Sequence, residues 1–124
     1  MERRRLFGQY KIAMFKNRGN DTFAGTVGIR NGFMYQCGAY QYFTNWENDN
    51  KISVTESSTG FRVMSLDVEK GETPKITHDR IVEKLKGFEP SVGDWNSAKE
   101  VMKKYNIPYP LNEWIVGLKD INHE

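Results

Sequence analysis

The sequence predicts an α+β fold: a five-stranded, mainly antiparallel sheet, arranged as a meander plus a hairpin, followed by two or three short C-terminal helices packed on one face. Three observations lead there. Alternating apolar and polar runs occupy 6–15, 23–30 and 33–43, with turn-forming residues between them. Two further runs, 51–56 and 61–68, flank Ser57-Ser58-Thr59-Gly60. Beyond the charged EKGETPK segment the apolar spacing changes from the alternation of strands to the wider period of helices. A chain of 124 residues is the size of a single domain, here β-rich over 6–68 and helical over 76–121.

Within the sheet, KNRGND separates the first two runs and Asn31-Gly32 the second and third. An Asn-Gly pair between alternating runs is a strong hairpin signal, because a two-residue type I′ turn needs positive φ at both central positions. None of the first four connections is long enough for a crossover helix, which disfavours parallel winding. In the second part Thr77 reads as an N-cap, with Ile76 and Ile81 as its hydrophobic staple. Ile81, Val82 and Leu85 form the inner stripe, Phe88 extends it, and Gly87 is placed as the stop. Ser97 and Glu100 read as a capping box opening a second helix through Val101, Met102 and Tyr105, which Pro108 and Pro110 prevent from continuing. Leu111, Trp114, Ile115, Leu118 and Ile121 fit helical spacing, although EWIVGL also fits a strand.

Charge is unevenly spread. Residues 1–46 carry seven Lys or Arg, Arg3-Arg4-Arg5 among them, against Glu2 and Asp21, a balance of +5; residues 47–124 carry eleven against fourteen acids, a balance of −3. The basic part is also the aromatic part, since 33–46 holds six of the chain's sixteen aromatic residues. Such asymmetry points to an anionic partner or to self-association. With Asn31-Gly32 as the loop, Arg30 pairs with Phe33, Gly28 with Tyr35 and Thr26 with Cys37 on one face. Tyr35 then lies over Gly28 beside the Arg30 guanidinium, a composition suited to stacking on a planar anionic ligand or a nucleobase. The candidate ligand-binding residues are therefore Arg30, Phe33, Tyr35, Gln41 and Thr26. The same face is expected to be buried in a homo-oligomer, since left open it would form an apolar patch larger than monomers normally expose.

Several chemistries are disfavoured. The chain has only two histidines, His78 and His123, and one cysteine, Cys37, too few for a tetrahedral zinc site. His78, placed at the first position of a capped helix, reads as solvated, and Cys37 as a buried, inert strand residue. Gly25-Thr26-Val27-Gly28 opens no helix, so it is no dinucleotide or phosphate loop. The remaining acids read as solvated loop carboxylates, and no catalytic residue, metal or cofactor is assigned. No apolar run reaches the length of a membrane helix, and the lone cysteine suits a cytoplasmic setting.

These residues together point to a non-enzymatic small binding protein whose aromatic, basic sheet face holds an anionic partner, a nucleotide-like ligand or nucleic acid. The hairpin ISVTESSTGFRV and the helix HDRIVEKL resemble, in general character, parts of small accessory proteins of phages and plasmids. That resemblance implies the alternative, an inhibitor that blocks a host defence factor by protein–protein contact, and it carries over no individual residue.

Overall fold

The computed structural model describes residues 6–17 and 23–123; Arg3-Arg4-Arg5 and the first turn segment, 18–22, lie outside the described residues. Five strands, β1 (Leu6–Asn17), β2 (Phe23–Cys37), β3 (Tyr40–Asn48), β4 (Lys51–Glu56) and β5 (Arg62–Asp67), form one sheet in the order β1-β2-β3-β4-β5, every neighbouring pair antiparallel. Two helices follow, α1 (Pro74–Lys86) and α2 (Val92–Lys104), then an irregular segment ending in a 3-10 turn at Ile121–His123. This is the α+β arrangement expected from the alternating runs. No helix among the described residues is long and apolar enough to cross a membrane.

The principal departure is at Asn31-Gly32. The chain does not turn there: β2 runs through both residues, neither of which adopts positive φ, and the reversal comes at Gly38-Ala39, with Gly38 at φ 60°. The resulting register places Met34 opposite Phe43 and Tyr35 opposite Tyr42, and all four are buried to 1% exposure or less. Burying four large side chains outweighs a local turn preference of small magnitude. Gly32 is needed for close approach instead, because a Cβ there would lie 1.6 Å from the Thr44 carbonyl oxygen. Arg30 consequently pairs with Tyr10 of β1 rather than with Phe33, and Thr26 pairs with Met14.

Pairing between β2 and β3 stops at Phe33 and Thr44, so the rest of β2 continues with β1 alone as a two-stranded ribbon. The ribbon folds back over one face of β3–β5. Tyr10 is buried against Met34, Phe43 and Leu118, with Ile12 packed beside them, and the Ala13 N–H donates to the Gly60 carbonyl at 2.8 Å. Asn112 closes the edge of β1 further, accepting from the Lys11 N–H and donating to the Lys11 carbonyl, both at 2.8 Å. The opposite face carries α1.

The β4–β5 turn, where the ribbon lands, is organised by one carboxylate. Glu56 is 3% exposed, and its oxygens accept from the backbone N–H groups of Ser58 (2.9 Å) and Thr59 (2.8 Å) and from both hydroxyls (2.8 and 2.9 Å). Gly60 completes the turn at φ 71°, in a place where a Cβ would come within 2.3 Å of Leu111 and 2.8 Å of the Ala13 nitrogen.

Both helices start earlier than the cap signals suggested. The N-cap of α1 is Thr73, whose hydroxyl accepts from the Ile76 N–H at 3.2 Å, followed by Pro74 at the first turn. Thr77 is inside the helix, buried, and donates to the Glu72 carboxylate at 2.5 Å. The expected inner stripe and stop do appear: Ile81, Val82 and Leu85 are buried against Tyr35, Tyr42, Val54 and Leu66, and Gly87 is the C-cap. The N-cap of α2 is Ser91, accepting from the Asp94 N–H at 3.0 Å, so Ser97 lies within the helix and opens nothing. Residues 111–120 form neither of the two anticipated elements. Gln41 takes the place of regular pairing there: its amide accepts from the Ile115 N–H (2.9 Å) and donates to the Ile115 carbonyl (2.8 Å), while Gly117 at φ 86° bends the segment so that Leu118 and Ile121 reach the sheet.

The buried carboxylate yields a direct test. Glu56→Gln removes the charge and turns one acceptor into a donor facing donors, which is expected to cost about 2–3 kcal/mol or more in urea denaturation, whereas Glu83→Gln on the exposed side of α1 should stay within about 0.5 kcal/mol.

Candidate ligand-binding pocket

Between the start of α1 and the sheet lies a pocket of about 300 Å³. Strand alternation builds its aromatic walls. Phe7 and Phe33 are cross-strand neighbours whose rings meet edge to face at 5.0 Å, and Tyr35 follows two positions on, pointing to the same side. Trp46 joins them from β3 at a step where the β3–β4 register shifts, which leaves its ring 57% exposed at the rim. Asn31, Thr44 and Asn45 supply polar groups on the sheet side, and Glu72, Thr77 and His78 on the helix side.

Tyr35 is part of the wall and of the core at once. It is 1% exposed, its hydroxyl lies 3.0 Å from His78 Nδ1, and the two rings stack at 5.5 Å. His78 is therefore half-buried against the sheet, in place of the solvated state expected of it, because the helix begins at Pro74 and turns this position inward. Glu72 accepts from Thr77 and pairs with Arg80 at 2.6 Å, contacts that hold its carboxyl below the usual range, the Thr77 bond first among them. Beyond it a shallow cleft presents Asp49, Asp67, Glu69 and Glu72 against Lys70, so that side of the mouth is acidic.

The residues nominated from sequence are not brought together as one site. Phe33 and Tyr35 line the aromatic pocket. Arg30 lines a separate polar cleft under the ribbon, Thr26 is exposed far along the ribbon, and Gln41 is spent on Ile115. The shift in register accounts for the separation of Arg30 and Thr26 from Phe33 and Tyr35. Phe33, Tyr35 and Cys37 lie under α1 while Arg30, Gly28 and Thr26 lie on the other side of β2, so the single open face expected to be buried in a homo-oligomer does not form. Cys37 is buried as expected; burial pushes its thiol pKa up, while the thiol donates to the Leu85 carbonyl at 3.3 Å. Phe7, Trp46 and His78 were missed as site residues. Trp46 sat within the aromatic run, whereas nothing local marks Phe7 or His78.

No family model, curated protein or solved structure matches this chain.

Two outcomes follow from the pocket's construction. Tyr35→Ala is expected to lose about 3–5 kcal/mol of stability, as a large aromatic core deletion does, measured by chemical denaturation. For Glu72 the folded pKa lies below the ordinary 4.5, so its contribution is complete above that pH and is lost as pH falls through the lowered value. Denaturation curves between neutral and acid pH should thus converge for the wild type and Glu72→Gln, the variant being the weaker only on the neutral side.

Proposed function

We propose that this is a non-enzymatic binding protein that seats a planar heteroaromatic group, of the nucleobase class, in the aromatic pocket. One observation carries the reading: a 300 Å³ cavity has Phe7, Phe33 and Trp46 as ring surfaces and the Asn31 amide and Thr44 hydroxyl beside them. Rings stack on a flat ligand, and amide and hydroxyl groups offer both donors and acceptors to its edge. The acidic cleft at one side of the mouth disfavours an anionic tail there, so any phosphate of such a ligand leaves by the other side. A cytoplasmic setting belongs to the same proposal.

A second reading uses the same cavity for an aromatic or basic side chain of a protein partner. It draws on the exposure of Phe7 and Trp46, 61% and 57%, beside the carboxylates.

Tryptophan fluorescence during titration with free nucleosides tests the first reading. Trp46→Ala should weaken nucleoside binding by about 1–3 kcal/mol, the range for one lost base–aromatic stack, and leave the denaturation midpoint nearly unchanged, because the ring is exposed. Absence of saturable binding, or affinity indifferent to Trp46→Ala, sinks it in favour of the protein partner.

A further inference from the structure

The ribbon covers a cleft of about 390 Å³ on the opposite side of the sheet from α1, and its floor is of the wrong chemistry for a core. Where a strand pair folds over a sheet face, apolar residues normally seal the contact. Here Asn45, Ser53 and Thr55 form the floor, 8%, 5% and 3% exposed, with Asn45 and Ser53 directly opposite each other and Thr55 next on the same face. Buried polar side chains are costly unless they are hydrogen-bonded. Ser53 donates to Glu47. Among the described residues the Thr55 hydroxyl has no hydrogen-bond partner and the Asn45 amide donates only a long bond, 3.4 Å, to the Trp46 carbonyl.

The walls add charge. Arg62 is paired with Glu47 at 2.6 Å, which occupies that carboxylate. Arg30 faces the floor from the ribbon and meets no carboxylate among the described residues; its guanidinium contacts only the Ile29 carbonyl (2.9 Å) and the Met14 sulfur (3.9 Å), leaving donors over. Two guanidiniums against one carboxylate give the cleft a balance of +1.

We propose that this cleft is an oxyanion site that takes a phosphate group, held by the Arg30 fork from above and by the Thr55 hydroxyl and Asn45 amide from below. The group is either free phosphate or the phosphate of a nucleotide; Asn45 and Trp46 border both this cleft and the aromatic pocket, so one ligand can serve both. The site stands on its own observations and does not require the aromatic pocket to hold a base.

The test is NMR titration of the isotopically labelled chain with inorganic phosphate at constant ionic strength, with sodium chloride as the control. Saturable shifts at Ala13, Gly60 and the Arg30 side chain are expected, with Arg30→Gln weakening phosphate binding about ten-fold or more and Thr55→Val about three-fold, in line with one lost charged or neutral bond. Phe7→Ala, which alters only the aromatic pocket, should leave phosphate affinity unchanged, which separates this site from the nucleobase reading. A nucleoside monophosphate that binds more tightly than phosphate, and loses that advantage in Trp46→Ala, identifies the nucleotide as the source; equal affinity identifies free phosphate. Shifts that chloride reproduces, or a phosphate affinity unaltered by Arg30→Gln, overturn the proposal. Should Arg30→Gln fail to fold, an unaltered affinity in the nearly isosteric Thr55→Val overturns it equally.

Discussion

The arrangement of this protein depends on the Glu56 carboxylate buried beneath the β4–β5 turn. A charge removed from water persists only where donors surround it, and the Ser58 and Thr59 backbone and hydroxyl groups do so. The turn that results is then used by two other parts of the chain. The Ala13 N–H bonds to Gly60, the Leu111 N–H to Ser58 at 2.6 Å and the Asn112 amide to Ser57 at 2.9 Å. The ribbon and the C-terminal segment are both anchored to a loop whose shape is set by one side chain. Local chemistry at Glu56 thus decides where remote segments lie.

Close backbone approach is the second requirement, and glycines meet it. At Gly32 the β2 backbone crosses the Thr44 carbonyl with no space for a Cβ, and at Gly60 the ribbon and Leu111 press on the turn in the same way. With β2 crossing β3 so tightly, the sheet acquires two unlike sides. Phe33 and Tyr35 face α1 and bound an aromatic pocket, while Tyr10, Ile12 and Arg30 face back over β3–β5 and enclose a polar cleft. Stacking surface and positive charge, adjacent in the sequence, end up on either side of β2.

Within the aromatic pocket, stability and recognition are divided between residues. Tyr35 is locked by the core and by His78, so its ring is a rigid wall whose loss damages the fold. Trp46 and Phe7 stand at the rim, where a ring contributes little to folding and remains available to a ligand. Rigid walls behind exposed rings reduce the ordering cost of binding.

The sequence by itself determined the fold class, the extent of β4 and, to within one residue at each end, of β5 on either side of Ser57-Ser58-Thr59-Gly60, the Ile81, Val82 and Leu85 stripe and the Gly87 stop, because alternation, helical period and capping are short-range properties. It also marked Phe33 and Tyr35 as residues of interest through sheer aromatic density. What only the tertiary structure decided was register and partnership. Asn31-Gly32 carries a true local turn signal, yet burying Met34, Tyr35, Tyr42 and Phe43 around Gly38 is worth more, and that comparison involves both strands at once. Gln41 satisfies the backbone of Ile115, far along the chain, so a segment with helical spacing stays irregular. Phe7, Trp46 and His78 meet around one cavity, and Arg30 faces Thr55, only after the ribbon has folded over. Such contacts join positions with no local relation, and their physical reason is the packing of the whole chain around one turn.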